Sequence, residues 1–343
     1  MSSPPIPNAT PVVIGSLGRR TRWHPAEIVF WIGVLATYVV LPGKHLIMNE
    51  IAILALFAIS LDLILGYAGI VSLGHAAFLG MGAYSAGLFA KHIHPDPLLG
   101  LAVAALATTA LGFVSSFLVL RGNDLTRLMI TLGMTLILYE FANQLGWLTG
   151  GADGLQGVVM GPLLGIFEFD LFGRTAYAYS LVTLFVLFLF ARRVVNSPFG
   201  MSLRAIRDNP LRASAVGIPV NRRLIAVYTL SATYAGIAGA LLAQTAQYAS
   251  LDVLSFEKSA DVMLVLVIGG AGYLYGGIIG AIGFKILQDW LSALSPQYWH
   301  FWIGLILVII VLIGRERMTR GIAGIVAPFK SRPRAPAASK AEA

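Results

Sequence analysis

Few side chains in this 343-residue chain could do chemistry, and they are clustered. Asp62, Ser72 and His75 fall in or beside long apolar runs, where ionisable groups are costly and mark functional positions by default. All three sit between Leu61 and Tyr84, a stretch carrying Gly66, Gly69, Gly74, Gly80 and Gly82. Glycines at this density let backbones approach closely and permit a helix to break. An aspartate and a histidine so close invite the idea of a proton relay, but a relay needs several ionisable groups along one route. The acids at membrane depth are few: Asp62, Glu140 and Asp261. The reading of His75 as a hydrogen-bonded packing residue therefore fits better. Metal binding has less support still. Only His92 and His94 lie close together, just before Pro95, and the chain has no cysteine.

Catalytic motifs are missing. There is no H-E-x-x-H, no G-x-S-x-G and no aspartate pair suited to a diphosphate. The phosphate-binding pattern G-x-x-x-x-G-K-[ST] is also absent, so any ATP that drives this protein must be hydrolysed by another chain, and no cofactor is expected on this one.

A second cluster is basic. Residues 192–223 read RRVVNSPFGMSLRAIRDNPLRASAVGIPVNRR, with seven arginines and one aspartate. The internal order is more informative than the charge. Ser202–Arg207 has a short helical pattern, Asn209-Pro210 marks a turn and a new helix start, and Ala213–Val216 is one further helical turn. Gly217 is placed to cap it and Pro219 to stop it. Two punctuated surface helices suit docking onto a soluble partner, and a plain solvated loop needs no such order.

The elements that must carry these residues follow from composition. Apolar residues make up 57% of the chain and charged residues 12%, where a soluble domain has roughly 25% charged. A soluble enzyme of this size could not hide that much apolar surface. Apolar segments fall at about 28–43, 47–65, 68–90, 98–120, 128–148, 177–195, 223–247 and 299–314, several long enough to cross a bilayer as helix. Helix is required because backbone groups in hydrocarbon must be satisfied within the segment, and the runs are too continuous for an outer-membrane barrel. The expected fold is an all-α, polytopic bundle of about eight to ten transmembrane helices.

Lysine and arginine placement orients it. With the N-terminus inside, inner segments hold Arg19, Arg20 and Arg22; Arg121 and Arg127; seven arginines from Arg192 to Arg223; and seven basic residues from Arg315 onward. Outer loops hold only Lys44, Lys91, Arg174 and Lys258, and Lys285 is left over. The asymmetry puts both termini in the cytoplasm of a bacterial inner membrane. It also explains the net charge of +8 without nucleic acid. The resulting division is a cytoplasmic tail over 1–27, a membrane domain over 28–315 interrupted by the inner loop 192–223, and a disordered basic tail over 316–343.

Residues 260–293 follow an outward loop at Ser250–Ser259 and precede an inward-running helix. They must therefore enter and leave by the outer face or cross twice. Gly269, Gly270, Gly272, Gly276, Gly277, Gly280 and Gly283 fit either a broken, re-entrant helix pair beside the pathway or a tight pair packed through Gly276 and Gly280.

Four blocks together resemble the branched-chain amino acid ABC permeases, closest to their LivM-like branch: GYAGIVSLGHAAFLGMGAYSAG, RAIRDNPLRASAVGI, TLSATYAGIAGALLA and LVLVIGGAGYLYGGIIGA. The resemblance runs over about residues 45–315. It implies a transport subunit that pairs with a second, LivH-like permease, two cytoplasmic ATP-binding subunits and a periplasmic solute-binding protein. It further implies that 204–218 is the ATPase-coupling region, with Arg204, Arg207, Asn209 and Arg212 in it and Ala213, Ala215 and Gly217 at the family's Ala/Gly signature. Asp62, Gly66, Gly69, Ser72, His75, Gly269, Gly270, Gly276 and Gly280 become candidates for pathway or packing roles. The implied cargo is a zwitterion with an apolar side chain, such as leucine, isoleucine or valine, while close relatives carry urea or short amides. An ion-coupled secondary transporter is the main rival reading, since Asp62 and a break at 269–277 would suit one. An intramembrane enzyme is the third.

Overall fold

A computed structural model of the chain describes residues 25–170 and 172–313; the rest of the N-terminal tail and the basic C-terminal segment lie outside the described residues. The regular structure is helical: α1 (Pro25–Val40), α2 (His45–Leu65), α3 (Ala76–His92), α4 (Pro97–Val119), α5 (Asp124–Gln144), α6 (Gly146–Thr149), α7 (Arg174–Val195), α8 (Pro198–Asp208), α9 (Pro210–Ala215), α10 (Val220–Ala246), α11 (Phe256–Gly269), α12 (Leu274–Leu294) and α13 (Trp299–Ile313). Among the described residues, six helices (α2, α4, α5, α7, α10 and α12) are long and apolar enough to cross a membrane. The all-α polytopic architecture expected from the sequence is the one found.

The chain divides into two compact units, one ending at Ile286 and one beginning at Leu287. In the second, the last turns of α12 are followed by α13.

In the first unit, α2 and α10 form the centre: 72% of each apolar window is buried, against 17% for α5. Small residues explain the close approach. A Cβ on Gly82 would strike the Gly236 carbonyl of α10, and one on Gly239 would strike the Leu79 carbonyl of α3. Such contacts bring backbones together where lipid offers no hydrophobic drive. α4 starts with Pro97 in its first turn, and the Asp96 side chain accepts from the amides of Leu98 and Leu99. Asn123 caps α5 in the same way through Thr126. The connection 120–123 and the loop 192–223 lie at one end of the unit, called here the arginine end.

One expectation needs correction. Residues 68–90 do not form one apolar segment, because α2 ends at Leu65 and 66–75 run as non-helical chain before α3 begins at Ala76. The glycines at 66, 69 and 74 supply the freedom for that break. Ser250–Ser259 follows the end of α10 away from the arginine end, and it is packed instead of open. Leu251, Val253 and Leu254 are buried in a core with Tyr84 and Leu155, and Leu254 fills the space over Gly80. Three apolar side chains in four residues gain more from that core than from water.

The Gly-rich segment 260–293 is both broken and closely packed. α11 and α12 are separated by a turn at 270–273, so the helix is broken, and they also pack as a close pair. A Cβ on Gly276 would strike the carbonyls of Gly269 and Gly270, and one on Gly280 the Val265 carbonyl. The turn reaches the arginine end, where it meets the end of α2.

Candidate functional site

The two breaks, 66–75 and 270–273, meet at the arginine end, and the basic loop reaches them there. α2 ends in Asp62 and Gly66. Asp62 Oδ1 accepts a hydrogen bond of 2.6 Å from the Gly272 amide in the second break. This carboxylate is wholly buried, and the charge-assisted bond helps offset its desolvation. The Gly66 carbonyl, left without a helical partner at the end of α2, accepts from Arg207 Nη1 of α8 at 2.5 Å. Gly272 also lies against Gly66: a Cβ on it would sit 3.2 Å from the Gly66 oxygen and 3.3 Å from Arg207 Nη1. Gly69 adopts φ +74°, and a Cβ there would come 2.8 Å from Arg207 Cγ. Both the space and the conformation demand glycine. Beside it, the Arg204 guanidinium lies 5.2 Å above the Tyr67 ring, a cation–π contact. Arg204, Arg207, Asp62, Gly66 and Gly69 are thus brought together in one junction.

The loop folds in the manner its punctuation indicates. Pro198 opens α8, and Leu203 and Ile206 turn inward, each almost fully buried. Asn209 ends α8 and caps α9, its side chain accepting from the Arg212 amide at 2.9 Å. Pro210 follows at the first position of α9. Gly217 takes φ +87°, the left-handed conformation that ends this helix. Asn209, Arg212, Ala215 and Gly217 are exposed, and only Ala213 of this group is buried. A cleft of about 440 Å³ opens between α8 and α9, lined by Ala205, Asp208, Asn209, Arg212, Ala213 and Val216.

Ser72 and His75 lie deeper, in the first break. His75 is fully buried between the rings of Phe57 and Phe78, at centroid distances of 5.5 and 5.7 Å. Its Nε2 is 2.8 Å from Ser60 Oγ, whose own proton goes to the Phe57 carbonyl at 2.6 Å. Nε2 therefore carries a hydrogen, a position assigned from this network. Ser231 of α10 completes the cluster by donating to the Ser60 carbonyl at 2.5 Å. A serine–histidine contact of this length could belong to a nucleophile and its base. Here both groups are shut away from any substrate, and the cluster fastens the break to α2 and α10. Ser72 is buried and accepts from the Gly74 amide within the same break. Ser259 of α11 accepts from the Ala76 amide at 2.9 Å, satisfying a free donor at the start of α3.

Sequence reasoning missed Ser60, Ser231, Ser259 and Gly272 as the partners of these breaks. Serines inside apolar helices were the available signal. Of the other candidates, Gly269, Gly270, Gly276 and Gly280 belong to the α11–α12 pair described above.

Residues 45–312 match the family model described as branched-chain amino acid transport system / permease component. The chain is 26% identical over 293 residues to the high-affinity branched-chain amino acid transport system permease protein LivM of Salmonella typhimurium and to that of Escherichia coli, covering 79% of this chain and 68% of each relative. It is also 26% identical over 312 residues to the fructose import permease protein FrcC of Rhizobium meliloti, covering 83% of both chains. No solved structure matches. A multi-pass helical chain matched to this family over most of its length belongs to the branched-chain amino acid transport system permease family of ABC transporters, whose members are transport components.

Proposed function

We propose that this chain is the membrane subunit of an ATP-driven importer that moves branched-chain or similar amino acids across a bacterial inner membrane. It pairs with a second, LivH-like permease. Two ATP-binding subunits dock on the inner loops, the cytoplasmic loop 192–223 of this chain among them, and a periplasmic binding protein delivers the cargo. The observation that carries this reading is the junction of Arg207 with Gly66, Gly272 and Asp62. It ties a basic surface helix directly to both interruptions of the membrane helices. A secondary transporter has no use for such a joint. In an importer driven from outside the chain, movement imposed on α8 passes to the broken segments through one guanidinium. The mostly apolar interior suits a cargo with an apolar side chain, which the binding protein selects before it arrives.

A sugar cargo is the second reading, favoured by the fructose permease and by the ribose import permease protein RbsC of Bacillus subtilis, also 26% identical over 79% of this chain. Co-purification with the products of neighbouring genes, followed by uptake in proteoliposomes, separates the two. Leucine uptake that requires ATP and the binding protein is expected. Uptake of ribose or fructose in place of leucine would replace the cargo, and uptake without any ATPase subunit would overturn the importer.

A further inference from the structure

One ion pair has no place in the coupling junction. Glu50 of α2 and Lys285 of α12 meet at 2.6 Å between Oε2 and Nζ. Their depth can be read along both helices. Glu50 is twelve residues from Asp62, about 18 Å at 1.5 Å per residue. Lys285 is eleven residues from the start of α12, about 16 Å on the same rise. Both distances start near the arginine end, so the pair lies in the far half of a hydrocarbon core about 30 Å thick, with Glu50 about 8 Å in from the start of α2 at His45. The Lys285 side chain is 17% exposed and that of Glu50 is 53% exposed. The Arg192–Glu27 pair is different, with side chains 12% and 24% exposed.

Inside the first turns of α2 a carboxylate this open is still better placed against water than against lipid tails. It is also held on a rigid base. The neighbouring Asn49 is buried, donating to Thr245 of α10 at 3.0 Å and accepting from Ser180 of α7 at 2.6 Å. The backbone under Glu50 is therefore fixed while its side chain stays open.

We infer that the Glu50–Lys285 pair lines the aqueous route of the cargo and is a transfer point for a zwitterion. The inference rests on the amino acid reading above. An α-amino acid carries the same two charges as the pair. Its ammonium can take the place of Lys285 at Glu50 while its carboxylate takes the place of Glu50 at Lys285, so one ion pair is exchanged for two. The charges remain balanced at every step, and no covalent bond changes. The apolar side chain needs nothing from the pair. A neutral sugar offers neither charge, so this feature discriminates between the two cargo classes.

The test uses the assembled transporter in proteoliposomes, with radiolabelled leucine and ribose as probes. Wild type should move leucine; if it moves ribose and not leucine, the cargo reading itself fails. Given leucine transport, Glu50→Gln with Lys285→Gln should lower leucine moved per ATP hydrolysed by at least tenfold. A ratio within twofold of wild type would overturn the transfer point and leave the amino acid reading standing. A merely structural staple would lower uptake and ATP hydrolysis together and also overturns it. A second measurement keeps the pair intact. Leu54 lies one turn from Glu50 on the same helix face, and the chain has no cysteine of its own. Leu54→Cys should react with a charged, water-soluble methanethiosulfonate. Failure to react would show that the face is dry and overturn the inference, even if the double variant did not assemble.

Discussion

α8 and α9 are neighbours in one loop, joined at Asn209, and their surfaces are opposite. α8 turns Leu203 and Ile206 into the protein and reaches the Gly66 carbonyl with Arg207. α9 buries little beyond Ala213 and leaves Leu211 82% and Val216 72% exposed. Apolar side chains that open, on a short capped helix, are what the docking face of the proposed importer would present. One helix is fastened to the membrane segments, and in that reading the other is the face that meets the ATPase. A loop that only connected α7 to α10 would need neither. In the proposed importer, binding the ATPase and transmitting its movement then fall to different side chains, so the two can be broken separately.

The largest effect lies outside both helices and sets the scale. Gly280→Leu would drive a side chain into the Val265 carbonyl and separate α11 from α12, so the chain should fail to accumulate in membranes. Membrane level by immunoblot checks this, and a normal level would mean that the pair is not closely packed. Next comes Arg207→Met, which keeps the stem and removes the donor to Gly66. Uptake should fall at least about tenfold, the size of a typical coupling energy, while the ATPase subunits still co-purify. Leu211→Glu should do the reverse, weakening ATPase retention by roughly five- to tenfold, as for a moderate interface anchor, with the membrane level normal.

Gly217→Val is smaller. Nothing lies within 4 Å of a Cβ at this position, so only the left-handed backbone resists, at about 1 kcal/mol or somewhat more. Retention and uptake should drop a few-fold together, because the exit from α9 is redirected. Arg212→Gln should matter least. Its side chain is exposed, and exposed charges contribute about 0–1 kcal/mol, so ATPase retention within roughly twofold of wild type is expected. A larger loss would mean that charge, and not Leu211, anchors the partner.

Much of this division was legible in the sequence. Asn209-Pro210 and Gly217 marked the limits of α9 because caps and breakers act locally. The glycine runs marked both breaks for the same reason. What could not be read was their meeting. Gly272 and Asp62 are 210 residues apart in the chain, and no local rule joins an aspartate in one helix to an amide in a distant turn. Ser60 and Ser231 stood out as serines in apolar helices, but their partners could not be read for the same cause, since such a serine can simply bond back to its own turn. Lys285 had left a trace, as the one basic residue that the inside–outside count could not place. Its partner Glu50 passed unnoticed within an apolar run.

The most direct test of the junction asks whether the second break responds to nucleotide through Arg207. Tyr273, in the turn between α11 and α12, is 64% exposed, so Tyr273→Cys gives one reactive thiol in a chain without others. Its labelling rate with a water-soluble maleimide is measured in the assembled transporter, without nucleotide and with a non-hydrolysable ATP analogue. If α8 is the latch, the rate changes with nucleotide when Arg207 is present and stays constant in the Arg207→Met background, although the ATPase subunits remain bound. An equal change in both backgrounds would contradict it, because the turn would then be moving by a route that does not pass through Arg207.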